Sequence, residues 1–155
     1  MILEIKKYPN PVLKRRSEEV KEITPEIKEL ALAMMETMAV SQGFGLAAPQ
    51  VGELKRLIVI LGEEKPQVLI NPKILSSGKK TEILEEGCLS FPKFFLKIKR
   101  PKEVEVEFLN LQGEKITVKA AGMLARVIQH EIDHLNGILI IDRVGFWQRL
   151  RLKWR

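Results

Sequence analysis

The spacing of apolar residues changes period along the chain, and each change marks an element. Behind Thr24-Pro25, a helix N-cap followed by proline at the first helical position, apolar residues recur at Ile27, Leu30, Ala31, Met34, Met35 and Met38. This predicts an amphipathic helix whose methionines pack in the core. The stretch "GFGLAAPQVG" (43–52) reads as a glycine-punctuated loop, and "RLIVIL" and "QVLINP" as short buried strands. From "KILSSGKKTEIL" through "FFLKIK" to "KEVEVEFLNLQGEKITVKA" the period is two, with a hairpin turn at Asn110 to Gly113. Helical spacing returns from about Ala121 to Asn136, at Met123, Leu124, Val127, Ile128, Ile132 and Leu135, with Gly137 suited to the C′ position. The tail "RLRLKWR" alternates like a strand, yet Phe146, Leu150 and Trp154 also sit at helical spacing, so both readings stay open. Helix, then a mixed or antiparallel sheet, then helix predicts an α+β fold.

Composition narrows the class. A chain of 155 residues is most simply one domain and can bury roughly 68–70% of its unfolded surface. With 45% hydrophobic and 30% charged residues it is an ordinary globule, and no signal peptide or run of 18 apolar residues is present, which points to a cytoplasmic protein without membrane contact. Cys88 is the one cysteine, so an internal disulfide is excluded, a reducing compartment is expected, and the thiol is free for chemistry. The net charge of +6 concentrates at the end, where Arg143, Arg149, Arg151, Lys153 and Arg155 follow Asp142 without an acid. A polyanionic partner such as the ribosome fits that tail, although a merely solvated basic tail explains it as well.

Both histidines of the protein lie in "QHEIDH" (129–134), inside the second helix. Residues i and i+4 share a face, so His130 and His134 can grip one divalent ion. Glu131 lies about 100° round the helix, beside the ion, where a general base for a metal-bound water belongs. A third ligand is needed. The 21 residues after His134 (135–155) hold no Glu and no His, which removes a thermolysin-like site, and Ile140 stands where a metzincin has its third histidine. Asp142 or an upstream donor remains, with the thiolate of Cys88 foremost; Asp142 is more simply an ion-pair partner of Arg143. Gly87, just before Cys88 in "EEGCLSFP", permits unusual backbone geometry.

Three separated motifs, "GFGLAAPQ" (43–50), "EGCLS" (86–90) and "QHEIDH", resemble those of the peptide deformylases. Their order and spacing match, and "YPNPVLKRRSEEV" and "HLNGILIIDR" extend the similarity over residues 1–143. The resemblance implies a peptide-deformylase-like α+β fold, with small mixed or antiparallel sheets around a central metal-binding helix. It divides the chain into one catalytic domain, 1–143, and a basic C-terminal tail, 144–155. It implies removal of the N-formyl group from formyl-methionine at the start of nascent polypeptides. By motif, Cys88, His130 and His134 would bind the metal, normally Fe2+ and replaceable by Zn2+, Ni2+ or Co2+, with Glu131 as general acid/base. The Gln50 side chain and the Leu89 backbone N–H would hold the oxyanion, where one fixed donor is typically worth about 2.7–4 kcal/mol. Gly45 would let the backbone approach the substrate closely.

Met123 and Val127 precede His130 on one stripe and, with Phe44, are expected to line an apolar cavity suited to a methionine side chain. Arg100 matches a family arginine that helps hold the peptide backbone. Arg126 departs from the family, which more often has an apolar residue there, and is expected at the pocket rim. Two rivals remain: an HExxH zinc peptidase or amidase using Asp142, and a ribosome- or RNA-binding module driven by the tail.

Overall fold

The computed structural model describes residues 1–153. Helix α1 (Pro25–Val40) is followed by strands β1 (Gly45–Ala47), β2 (Leu57–Leu61), β3 (Pro66–Ser77), β4 (Thr81–Cys88), β5 (Phe91–Pro101), β6 (Glu103–Leu109) and β7 (Lys115–Ala121). Helices α2 (Gly122–Leu135) and α3 (Phe146–Lys153) complete it. β1-β2-β3-β6-β7 form one sheet and β4-β5 a second, every neighbouring pair being antiparallel. The fold is α+β, as the alternation of periods predicts.

The elements start and stop for local reasons. Thr24 Oγ1 accepts a hydrogen bond from the Ile27 N–H at 3.3 Å, capping α1. At the Asn110 turn the side-chain oxygen takes the N–H groups of Gln112 and Glu114, both at 3.0 Å, and Gly113 supplies the left-handed φ of 79°. Gly137 ends α2 with φ 71°, and a Cβ there would sit 2.4 Å from the Lys14 carbonyl oxygen. Arg56 closes that helix end, donating to the Leu135 carbonyl at 3.1 Å and to Asn136 Oδ1 at 2.9 Å. A cation on the last carbonyls opposes the negative end of the helix dipole.

The continuous apolar run of β2 follows from its position between two helices. Leu57 and Val59 join Ala31, Met34 and Met38 of α1 in one core, whereas Ile58 and Ile60 join Ala125, Ile128, Ile132 and Leu135 of α2 in another. With both faces covered, no position is left for a polar residue. Burying each such side chain stabilises by about 1.5–3 kcal/mol. A third cluster, including Leu13, Phe91, Ile98, Leu139 and Ile140, fastens the two-stranded sheet to the segment after α2.

The glycine-punctuated loop is only partly a loop. Gly45, Leu46 and Ala47 pair with Ile60, Val59 and Ile58 as an edge strand, and Ala48–Val51 is one 3-10 turn. Leu46 and Ala47 are buried in the two opposite cores, and that burial outweighs the weak strand preference of glycine. The tail is helical through Lys153, with Phe146 and Trp147 both exposed and their rings in edge contact at 5.5 Å. Trp154, part of the helical reading, lies outside the described residues. Among the described residues no helix is long and apolar enough to cross a membrane.

Candidate metal and catalytic site

α2 delivers the two imidazoles and β4 delivers the thiol. The ligand atoms of Cys88, His130 and His134 all lie within 4.8 Å of one another, although Cys88 is more than forty residues away in sequence. Cys88 Sγ is 3.3 Å from His134 Nε2. The sulfur reaches the helix because β4 and β5 lose register at its position: Gly87 pairs with Phe95, but Cys88 pairs with Phe91. The φ of Gly87 lies outside the left-handed range; its role is clearance, since a Cβ would meet the Phe95 ring at 2.8 Å. One thiolate and two imidazoles suit a borderline transition-metal ion and not Mg2+ or Ca2+.

Glu86 decides which nitrogen of His130 faces that ion. Its Oε1 lies 3.0 Å from His130 Nδ1. Burial alone would raise this carboxyl, but hydrogen bonds from His130 and Arg100, with the Arg100 charge, bring it down to about 2. An ionised carboxylate only accepts, so Nδ1 carries the proton and Nε2 keeps its lone pair for a metal. Burial pushes the other imidazole, His134, well below its ordinary value, and among the described residues its Nδ1 has no hydrogen-bond partner.

Behind Glu86 stands a chain of alternating charges that sequence reasoning missed, buried through Asp133 and exposed at Arg143. Arg100 donates to Glu86 through Nε at 2.6 Å and Nη2 at 3.0 Å, and to Asp133 through Nη1 at 2.9 Å. Arg143 grips the same Asp133 at 2.9 and 2.6 Å. Arg126, only 6% exposed, adds a 2.5 Å bond from Nη1 to Glu86 Oε2. Three expectations are corrected here. Arg100 is 3% exposed with its donors turned to carboxylates, and it is not among the residues lining the cleft. Arg126 is buried rather than at the rim, because the carboxylate beneath it offsets the cost of desolvating its charge. Arg143 pairs with Asp133, while Asp142 accepts the Leu139 N–H at 2.8 Å and approaches Arg149 at 3.9 Å. The available signals were acids next to the motif residues: Glu86 two before Cys88, and Asp133 one before His134.

In front of the cluster the groups are poised and less fully bonded. Glu131 is buried, and burial lifts its carboxyl to about 7, with Oε2 lacking any partner among the described residues. A carboxyl in that range both accepts and returns a proton near neutral pH. Gly45 is needed for this acid: a Cβ on it would fall 2.6 Å from Glu131 Oε1. The close approach is to Glu131, and Gly45 also lines the cleft. Gln50 has its carbonyl occupied by the Ala47 N–H at 2.9 Å, so its amide nitrogen faces away from Ala47. That nitrogen donates to Ser90 Oγ at 3.2 Å and approaches Cys88 Sγ at 3.6 Å.

A cleft of about 740 Å³ opens onto His130, Glu131, Cys88 and Gln50. Phe44, Leu89, Met123 and Val127 line it, and Phe44 and Met123 are each more than half exposed at its mouth. Its size is that of small-ligand sites. Among the described residues Asp142 joins no cluster of metal-ligating groups, which removes the observation the rival peptidase would need.

The chain is similar to known proteins over nearly its whole length. The family model described as polypeptide deformylase matches residues 2–149. A peptide deformylase of Thermodesulfovibrio yellowstonii is 52% identical over 150 residues, covering 93% of this chain and 90% of that protein. The crystal structure of peptide deformylase from Thermotoga maritima superposes with a TM-score of 0.90 at 44% identity, covering 94% of this chain and 99% of that one. That of a peptide deformylase from Synechococcus elongatus, in complex with actinonin, gives 0.92 at 43% identity over 97% of this chain and 82% of that one.

Proposed function

The chain belongs to the polypeptide deformylase family, metal-dependent hydrolases that remove the N-formyl group from nascent polypeptides, and we propose that Cys88, His130 and His134 hold its metal, with Fe2+ as the resident ion. The observation that carries this is the convergence of one thiol and two imidazoles within 4.8 Å from two distant elements. When bound, a divalent ion there supplies a Lewis acid and lowers the pKa of water towards about 7.

The protein's own groups do the rest. The methionine side chain lies in the cleft among Phe44, Met123 and Val127, which directs the formyl carbon to the floor. Glu131 accepts the proton of the attacking water and returns it to the amine nitrogen as the C–N bond breaks. The formyl oxygen gains negative charge and accepts from the Gln50 amide and the Leu89 N–H. Gln50 suits that role because Ala47 fixes its orientation, so little reorganisation is needed. Its long contact to a sulfur acceptor is weak and easily exchanged for an oxyanion.

Residues 1–143 are the catalytic unit in this reading. The basic segment 144–155, with Phe146 and Trp147 exposed beside Arg149, is a peripheral contact for the ribosome. A free thiol among the ligands suits the reducing cytoplasm.

The test is hydrolysis of formyl-Met-Ala-Ser by anaerobically purified protein, with metal analysis. Formate release that a chelator stops and Fe2+ restores, with an unformylated peptide left intact at its internal bonds, is the expected result. Cleavage of internal bonds, or full activity and metal affinity in Cys88→Ser, would overturn the reading.

A further inference from the structure

Arg126 is a cation that the ligand set does not require, and its surroundings explain why it is there. It lies one turn before His130 on α2, so both side chains leave the same face of the helix. Its Nη1 donates to Glu86 Oε2 at 2.5 Å and to the Ile98 carbonyl at 2.9 Å, and its Nη2 donates to the Glu82 carbonyl at 2.7 Å. One planar head thereby joins α2 to β4 and β5. Arg126 also lines the cleft. As the head is bonded inward, the aliphatic stem is left to form wall, where the resemblance leads one to expect an apolar residue.

We propose that Arg126 is a positioning residue, which acts through Glu86 to hold the His130 ring in register for the metal while its stem forms part of the methionine-binding wall. The inference rests on His130 being a ligand, as assigned above. Glu86 has two oxygens and four donors: Oε1 takes His130 Nδ1 and Arg100 Nη2, and Oε2 takes Arg100 Nε and Arg126 Nη1. The carboxylate can turn about its last bond only by breaking contacts on both oxygens. Without Arg126, Oε2 keeps one partner, and that partner is also engaged by Asp133. The hold on His130 then loosens with no change to any metal ligand or to Glu131, Gln50 or Leu89.

The experiment uses the full chain loaded with Co2+, comparing the parent with Arg126→Met, Arg126→Ala and His130→Ala. Arg126→Met keeps an apolar stem and loses the head. Its Co2+ dissociation constant, read by chelator competition, is expected to rise about 10–100-fold with a shifted d–d absorption band, as for other groups that orient a metal-binding histidine. Its KM for formyl-Met-Ala-Ser at saturating metal should stay near the parent's, whereas Arg126→Ala, lacking stem and head, should also raise KM. A folded Arg126→Met with parental Co2+ affinity and spectrum overturns the proposal, while Co2+ binding retained in His130→Ala overturns the ligand assignment instead. Should Arg126→Met not fold, Arg126→Gln gives the same readout with a shorter polar head.

Discussion

The two sides of His130 use the same residue types to opposite ends. Behind it, Glu86 is buried among Arg100, Arg126 and the Nδ1 proton, and is held ionised with its carboxyl near 2. In front, Glu131 is buried with no cation bonded to it among the described residues, and its carboxyl rises to about 7. Burial acts on both in the same direction; the number of donors decides the outcome. A fully bonded carboxylate is rigid and serves to aim a ring, whereas one with a spare oxygen can exchange a proton. The protein separates positioning from chemistry by how completely each acid is satisfied.

Substitutions can break that contrast, and the largest effect is expected in front. Glu131→Ala should cut deformylation by about 10²–10⁴-fold while metal content, measured by elemental analysis, stays at the parental stoichiometry. An equal loss of metal and activity would move Glu131 into the coordination shell. Behind the ring, Glu86→Ala leaves Arg100 and Arg126 buried without their shared anion and should cost about 3–5 kcal/mol in denaturant unfolding. Gln50→Ala should lower kcat by about 10²–10³-fold at nearly constant KM, corresponding to about 2.7–4 kcal/mol at the oxyanion. A rise in KM alone would make Gln50 a substrate contact. Far from both regions, Thr24→Ala removes one helix cap and should cost about 1 kcal/mol of stability with no change in metal affinity.

The same contrast explains why some residues were readable and others were not. The 129–134 motif announced itself because helical spacing alone places two imidazoles on one face. Glu86 stood beside a motif cysteine, yet nothing local distinguishes an acid on a solvated strand from one that receives three side chains of other elements. Arg100 and Arg126 were misjudged for the same reason, since a charged residue in sequence reads as exposed until its partner is known. Gly45 was flagged for close approach, and the Glu131 atoms it makes room for, on α2, could be found only from the packing.

What the chain fixed locally is the set of elements and their faces: the cap at Thr24, the turns at Asn110 and Gly137, the two-sided burial of β2, and the paired histidines. These depend on periods and caps that span a few residues, and each can be checked on one segment at a time. Packing alone decided that the slip between Gly87 and Cys88 carries the sulfur to α2, that Glu86 meets Arg126 forty residues away, and that Gln50 turns its amide toward Cys88 Sγ and Ser90 Oγ. Such contacts arise only after distant segments close on one another, because hydrogen-bond directions and burial have no value until the partner surface is in place.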